Sequence, residues 1–252
     1  MCYSDDAQVP LPPIRGAALD HTELHLEADD GNRFAAFAAH PAAPDGRGVG
    51  ILPDIRGLHS FYKELAIRFA EVGFEAIAMD YFGRTADSDE RDESFEFRPH
   101  VEQTKPETIA ADVRACVGYL RSQPRGQSLA LFSVGFCFGG ANSWRQSAED
   151  HGLAGCIGFY GGQPMTRVGP WIPKMRAPLL MLLAGDDFTP PEEFAEFADK
   201  VRAQGVEVEA HTYQGAPHSF FDRKFDEYRE ACDDAWWRIL GFTEQRLPAP
   251  VP

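Results

Sequence analysis

The fold is decided by one stretch of sequence, SLALFSVGFCFGG at residues 128–140. Its first seven residues form an apolar run with the length and composition of a buried β-strand. Two glycines, Gly135 and Gly139, then flank Cys137, and a helical pattern continues from about residue 140 to residue 149. A tight turn from a strand into a helix needs glycines at these two positions, because larger side chains would collide with neighbouring backbone. The stretch therefore predicts a strand–turn–helix unit with a cysteine at its tip.

The same alternation of strand and helix extends in both directions along the chain, and it recurs at least five times. This order is typical of the α/β class, with one mostly parallel, doubly wound sheet and helices on both of its faces. The predicted strands of the sheet are 49–53, 75–80, 128–134, 154–160, 179–184 and 206–213, and the predicted helices are 60–72, 104–121, 140–149, 191–204 and 222–240.

Two further strands are predicted at 22–27 and 33–40, ahead of the parallel sheet. The Asp-Gly pair in the turn between them indicates an N-terminal antiparallel hairpin. Residues 81–103 show no periodicity and are dense in charge, which predicts a long loop. The chain has no internal repeat and no break in composition, so we expect a single domain over 1–252, with its core at about 20–242 and flexible tails.

The composition indicates which partners the protein can bind and in which cellular compartment it is expected. Lys and Arg together number 24 against 39 for Asp and Glu, a net charge of −15. Nucleic acid and anionic membranes both require a basic face, so neither is expected as a partner. The five cysteines are scattered and form no CxxC pair, and the first segment has no apolar signal sequence. Both observations predict a soluble cytoplasmic protein with reduced thiols. The chain contains no glycine-rich nucleotide motif and no HExxH, so neither a cofactor nor a metal is expected.

Side chains suited to nucleophilic catalysis follow several of the predicted strands. Cys137 is the candidate nucleophile, because the helix that follows it favours the thiolate. His218 is the candidate base, since it alone among the later histidines lies in a loop between the last strand and the final helix. The loop after strand 179–184 carries Asp186 and Asp187, and either carboxylate could orient the histidine. The structural alternatives are a buried cysteine beside a turn, a surface histidine and an aspartate that caps a helix.

Four short motifs resemble the dienelactone hydrolase family of α/β-hydrolases: PDIRG at 53–57, GFCFGG at 135–140, DDFTP at 186–190 and GAPHSF at 215–220. The resemblance covers about residues 20–240 and implies the α/β-hydrolase fold. It also implies a catalytic triad with Cys137 as the nucleophile and His218 as the base. The acid of the family stands four residues before a proline. This spacing, from Asp186 to Pro190, favours Asp186 over Asp187.

The resemblance implies two further elements of the site. The family carries a carboxylate after the first buried strand that holds the resting thiol, usually a glutamate, and Asp54 occupies that position here. The backbone N–H groups of Ile55 and Phe138 would then form the oxyanion hole. Aspartate is one methylene shorter than glutamate, so the alternative for Asp54 is a polar residue that caps the end of the strand.

The implied reaction is hydrolysis of a small-molecule carboxylic ester or lactone through a thioester intermediate. The family binds a substrate carboxylate with arginines in the long loop and shortly after the histidine. The candidates here are Arg91, Arg98 and Arg223, whereas the position four after His218 is Asp222. The alternative functions are a ligand-binding or thiol-sensing module without hydrolysis, and an acyltransferase. The chain is expected to be a monomer or a small homo-oligomer.

Overall fold

Eight strands form one sheet in the computed structural model, which describes residues 7–13, 16–124, 126–221 and 225–248. The strands are β1 (Ala18–Glu27), β2 (Arg33–Pro41), β3 (Arg47–Leu52), β4 (Phe74–Met79), β5 (Ala130–Phe136), β6 (Gly155–Phe159), β7 (Leu179–Asp186) and β8 (Val208–Pro217). Their order across the sheet is β1-β2-β4-β3-β5-β6-β7-β8. Strands β3 to β8 run parallel, whereas β1 pairs antiparallel with β2, and β2 with β4. The predicted doubly wound sheet and its N-terminal hairpin are confirmed.

The strand order reverses between β3 and β5, because β4 lies on one side of β3 and β5 lies on the other. Open α/β sheets form their binding crevices at such a reversal, beyond the carboxyl ends of the strands. The two strands end at the same level, since Leu52 of β3 is paired with Gly135 of β5. The segments that follow them, 53–57 and 137–140, therefore lie side by side at the reversal point.

Helices connect the strands on both faces of the sheet. They are α1 (Ser60–Glu71), α2 (Arg98–Val101), α3 (Pro106–Ser122), α4 (Phe138–Arg145), α5 (Pro164–Arg167), α6 (Pro191–Ala203) and α7 (Arg229–Glu244). The long loop after β4 is present as predicted, with the short α2 near its end. The last helix begins at Arg229 and not at residue 222, because residues 225–228 form a turn, and 222–224 lie outside the described residues.

Strand β7 shows why helices cover both faces of the sheet. Leu180 and Leu182 pack in a cluster that includes Trp236 of α7, whereas the alternate side chains of Met181 and Leu183 pack in a cluster with α4 and α6. Successive side chains of a strand point to opposite faces, so an unbroken apolar run must be buried on both sides. None of the helices in the described ranges is long and apolar enough to cross a membrane.

Candidate active site

Cys137 lies at the tip of the turn between β5 and α4 in a strained backbone conformation. Its φ is 54° and its ψ is −114°, a combination that residues with side chains rarely adopt. A Cβ atom on Gly135 would lie 1.9 Å from the carbonyl oxygen of Gly139, and a Cβ atom on Gly139 would lie 2.1 Å from that of Leu52. The backbone therefore excludes any side chain at both glycines, as the motif predicts, and the turn presents a partly exposed thiol.

The same close approach brings the turn after β3 against the start of α4. Gly139 lies against the carbonyl groups of Leu52 and Pro53, so the segment that carries Ile55 runs beside the N-terminus of α4, where the N–H of Phe138 lies. Two backbone donors from adjacent strand ends are what an oxyanion hole requires.

Asp54 is fully buried in the turn after β3. Its carboxylate accepts a hydrogen bond from the backbone N–H of Arg56 at 2.9 Å, and its carbonyl accepts one from Gly57 at 3.2 Å. The hydrogen bond from Arg56 ties the Asp54 carboxylate to the turn that carries Ile55.

The residues after β4 fix the turn after β3. The Tyr81 hydroxyl donates to the carbonyl of Pro53 at 2.8 Å, and the N–H of Leu58 donates to the Asp80 carboxylate at 3.0 Å. Complete burial, with the nearby charge of Asp54, raises the pKa of Tyr81 well above its usual value. Tyr81 is therefore a permanent donor to this turn at any pH near neutrality.

The long loop does not offer Arg91 to a substrate. The guanidinium of Arg91 is 1% exposed and donates to both carboxylate oxygens of Asp80, at 3.0 and 2.8 Å. The hypothesis that Arg91 binds a substrate carboxylate is therefore wrong for this structure, because its donors are already used inside the protein. Arg98 lies exposed at the start of α2, and both Asp222 and Arg223 lie outside the described residues.

His218 follows directly after β8, at the carboxyl edge of the sheet. Its Nδ1 lies 3.0 and 3.1 Å from the two carboxylate oxygens of Asp187. The Asp187 side chain is only 2% exposed, against 15% for His218. The imidazole also packs against two aromatic rings, with centroid distances of 4.9 Å to Tyr160 and 5.4 Å to Phe188. A buried carboxylate on Nδ1 fixes the ring and leaves Nε2 as the basic nitrogen.

The preference for Asp186 as the partner of His218 is wrong. Pairing of β7 with β8 continues through Asp186, opposite Pro217, after a register irregularity that follows Ala184. Asp186 is thus still part of the strand and is exposed, and Asp187 is the first residue of the turn toward His218. The spacing to Pro190 favoured the wrong residue because spacing in the sequence does not reveal the register irregularity in β7.

The described cysteines differ sharply in their surroundings. Cys116, Cys156 and Cys232 are buried, whereas Cys137 is partly exposed. Burial raises the pKa of the Cys156 thiol to about 12 and that of Cys116 further still. Cys2 lies outside the described residues. No group of three His, Cys, Asp or Glu side chains within the described ranges is arranged to hold a metal ion.

Backbone strain is concentrated at the carboxyl edge of the sheet. The non-glycine residues with positive φ in the described chain are Cys137, Tyr160, Gln163 and Ser219. They follow the ends of β5, β6 and β8, and Ser219 is adjacent to the candidate base. Each such conformation costs about 1–3 kcal/mol, and these costs are typical of functional sites.

Comparison with known proteins identifies the family. A sequence model of the dienelactone hydrolase family matches residues 34–247. The chain belongs to the dienelactone hydrolase family. It is 23% identical over 205 residues to the carboxymethylenebutenolidase of Pseudomonas putida, covering 78% of this chain and 84% of that protein. It is 28% identical over 210 residues to protein usf of Aquifex pyrophilus, covering 80% and 89% of the two chains.

The fold of this family member is also similar to solved structures. A Klebsiella pneumoniae protein assigned to the dienelactone hydrolases superposes with a TM-score of 0.77 at 24% identity, over 90% of this chain and 98% of that one. Membership of the family makes the chain a dienelactone hydrolase-like ester or lactone hydrolase.

Sequence reasoning missed two residues of this dienelactone hydrolase site. Tyr81 gave no signal, because its contact with Pro53 joins two strand ends that only the sheet order brings together. Phe188 is 90% exposed beside His218, although large aromatic side chains are usually buried. Its place inside the DDFTP motif is the signal that could have found it.

Proposed function

We propose that this hydrolase cleaves a carboxylic ester or lactone with Cys137 as its nucleophile, His218 as its base and Asp187 as the carboxylate that orients the base. One observation carries the proposal. The strained turn that presents Cys137 between two glycines and the hydrogen bond between His218 and Asp187 lie at the same edge of the sheet. A thiol on such a turn with an oriented imidazole nearby is the arrangement that nucleophilic catalysis needs.

The reaction begins with the transfer of the thiol proton from Cys137 to Nε2 of His218. The thiolate attacks the substrate carbonyl carbon, and the N–H groups of Ile55 and Phe138 stabilise the tetrahedral oxyanion. Collapse of this intermediate forms the thioester and releases the alkoxide, which takes the proton from the imidazolium. His218 then removes a proton from water as its oxygen attacks the thioester carbonyl. The second tetrahedral intermediate collapses to the carboxylic acid and the Cys137 thiolate, which takes the proton back from the imidazolium.

The nucleophile sets the preferred substrates. A thiolate is a good leaving group as well as a good nucleophile, so the first tetrahedral intermediate returns to substrate unless the alcohol leaves easily. Activated esters and strained lactones meet this condition better than amides do. The role of Asp54 as a holder of the thiol stays a prediction, and its hydrogen bond to Arg56 supports a second role in holding the oxyanion turn.

Hydrolysis of p-nitrophenyl acetate tests the nucleophile. We expect turnover with the wild type and none above background with Cys137→Ala. Peptide mass spectrometry after iodoacetamide should find Cys137 modified in step with lost activity, while the buried thiol of Cys156 stays unmodified and serves as an internal control.

Three outcomes would count against this proposal. Wild-type turnover in the Cys137→Ala variant, or after complete alkylation of Cys137, would refute the nucleophile. An acyl-enzyme that accumulates and transfers only to an added alcohol would favour an acyltransferase. Alkylation at Cys137 with no ester cleaved by the wild type would favour a thiol-sensing or ligand-binding module.

A further inference from the structure

A cavity lies beside the nucleophile turn, on the side of α4 that faces the start of α3. Its volume is about 140 Å³, and Phe138, the residue after Cys137, forms part of its wall. The wall also includes Asn142 and Arg145 of α4, Ile109 of α3, and the residues Lys105 and Arg167. The cavity thus shares a wall with the candidate active site and is formed by three separate elements.

The described residues that line this cavity include three cations and no acid. Lys105, Arg145 and Arg167 all contribute to the lining, yet none of the three forms an ion pair with any residue in the described ranges. Lys105 and Arg167 are exposed, whereas Arg145 is buried. A cluster of uncompensated cations around a small cavity attracts an anion.

Arg145 is the strongest evidence for an anion. The residue is 6% exposed, and its buried Nε has no hydrogen-bond partner in the described structure. Its one hydrogen bond there is a long contact of 3.5 Å from Nη2 to the carbonyl of Pro106, and its guanidinium lies 5.4 Å from the ring centroid of Trp171. Burying a charge without a partner is costly, so buried arginines are normally paired with a carboxylate or a phosphate.

The charge of Arg145 persists at neutral pH. Burial lowers the pKa of its guanidinium to about 10, while Tyr81, Glu149 and Glu107 act in the opposite direction from beyond ion-pair distance. The side-chain amide of Asn142 is engaged with the carbonyl of Phe138 at 3.0 Å and does not neutralise this charge. The cavity therefore keeps a positive wall in the absence of a ligand.

We propose that this cavity binds a small carboxylate, held by the Nη groups of Arg145 and neutralised by Lys105 and Arg167. A guanidinium presents parallel N–H donors that match the two oxygens of a carboxylate. The carboxylate could be part of the substrate or a separate small acid. Binding of the anion does not depend on the proposed triad, since none of the three cations belongs to it.

Titration calorimetry with sodium acetate at constant ionic strength tests the site directly. We expect saturable binding to the wild type and a loss of affinity of roughly tenfold or more in Arg145→Met, the effect of removing a charge-assisted pair of hydrogen bonds. Arg167→Gln and Lys105→Gln should each weaken binding less, because both side chains are largely exposed. Arg114→Gln is the matched control, since Arg114 is an exposed cation of α3 that does not line the cavity.

Thermal unfolding separates a ligand-binding role of Arg145 from a structural one. An unpaired buried charge destabilises the empty protein, so Arg145→Met should raise the melting temperature without acetate and should abolish the further rise that acetate causes in the wild type. The proposal is overturned if the wild type binds no acetate, or if Arg145→Met binds it as tightly as the wild type does.

Two esters identify the source of the carboxylate. If it belongs to the substrate, the ratio of kcat/KM for mono-p-nitrophenyl succinate to that for p-nitrophenyl butyrate should fall by roughly tenfold in Arg145→Met and should not fall in Arg114→Gln. If it is a separate acid, acetate should change the turnover of both esters in the wild type. A wild type without esterase activity would refute the proposed function. The calorimetry would still show whether the cavity binds a carboxylate.

Discussion

At the scale of single residues, two adjacent aspartates have different roles. Asp187 accepts the hydrogen bond from Nδ1 of His218, and Asp186 ends β7 in an exposed position. We expect Asp187→Asn to lower kcat/KM for p-nitrophenyl acetate by about 10³-fold, because an amide cannot stabilise the imidazolium or hold the reactive tautomer. The matched variant Asp186→Asn should stay within about twofold of the wild type. A large loss in Asp186→Asn with little change in Asp187→Asn would return the choice of acid to Asp186, and equal losses would contradict the assignment to Asp187.

At the scale of structural elements, the strand–turn–helix unit depends on glycine at two backbone contacts. Gly135→Ala places a methyl group 1.9 Å from the carbonyl oxygen of Gly139. We expect it to destabilise the protein by about 3 kcal/mol or more in urea unfolding, because only a backbone shift can remove the clash. Gly118→Ala is the control, since a Cβ atom there, on α3, meets nothing within 4 Å. It should stabilise by about 0.5–1 kcal/mol, and similar effects of both changes would contradict the backbone argument.

The long loop after β4 acts on the site through one buried ion pair. Arg91→Met leaves the Asp80 carboxylate buried without its cation, which we expect to cost about 3–5 kcal/mol of unfolding free energy. It should also lower kcat, since Asp80 holds the N–H of Leu58 in the turn after β3, which carries the proposed oxyanion donor Ile55. The exposed Arg98 is the control, and Arg98→Met should change stability by less than about 0.5 kcal/mol. A raised KM for anionic esters at unchanged stability would instead restore Arg91 as a substrate-binding residue.

At the scale of the whole molecule, local sequence patterns predicted the sheet and the ends of its strands. They did not predict contacts between segments that are far apart in the sequence. The GFCFGG turn and the position of His218 after β8 follow from short-range sterics and element order. The register irregularity in β7 depends on pairing with β8, so spacing alone chose the wrong aspartate. The burial of Arg91 against Asp80 depends on how the loop folds back, and no motif encodes it.

The net charge of −15 belongs to the whole molecule and opposes the local charge at the cavity of Arg145. Repulsion of an anionic ester acts over about 10 Å and is screened by salt, whereas contacts at hydrogen-bond distance to the buried guanidinium of Arg145 are screened far less. We therefore expect kcat/KM for mono-p-nitrophenyl succinate to rise as sodium chloride increases from about 10 to about 500 mM, over a range in which the Debye length falls from about 30 Å to below 10 Å. The neutral p-nitrophenyl butyrate should respond weakly and is the control for effects of salt on the chemical step. A fall for the anionic ester alone would mean that exposed cations, such as Lys105 and Arg167, attract it from solution and outweigh the field of the whole chain.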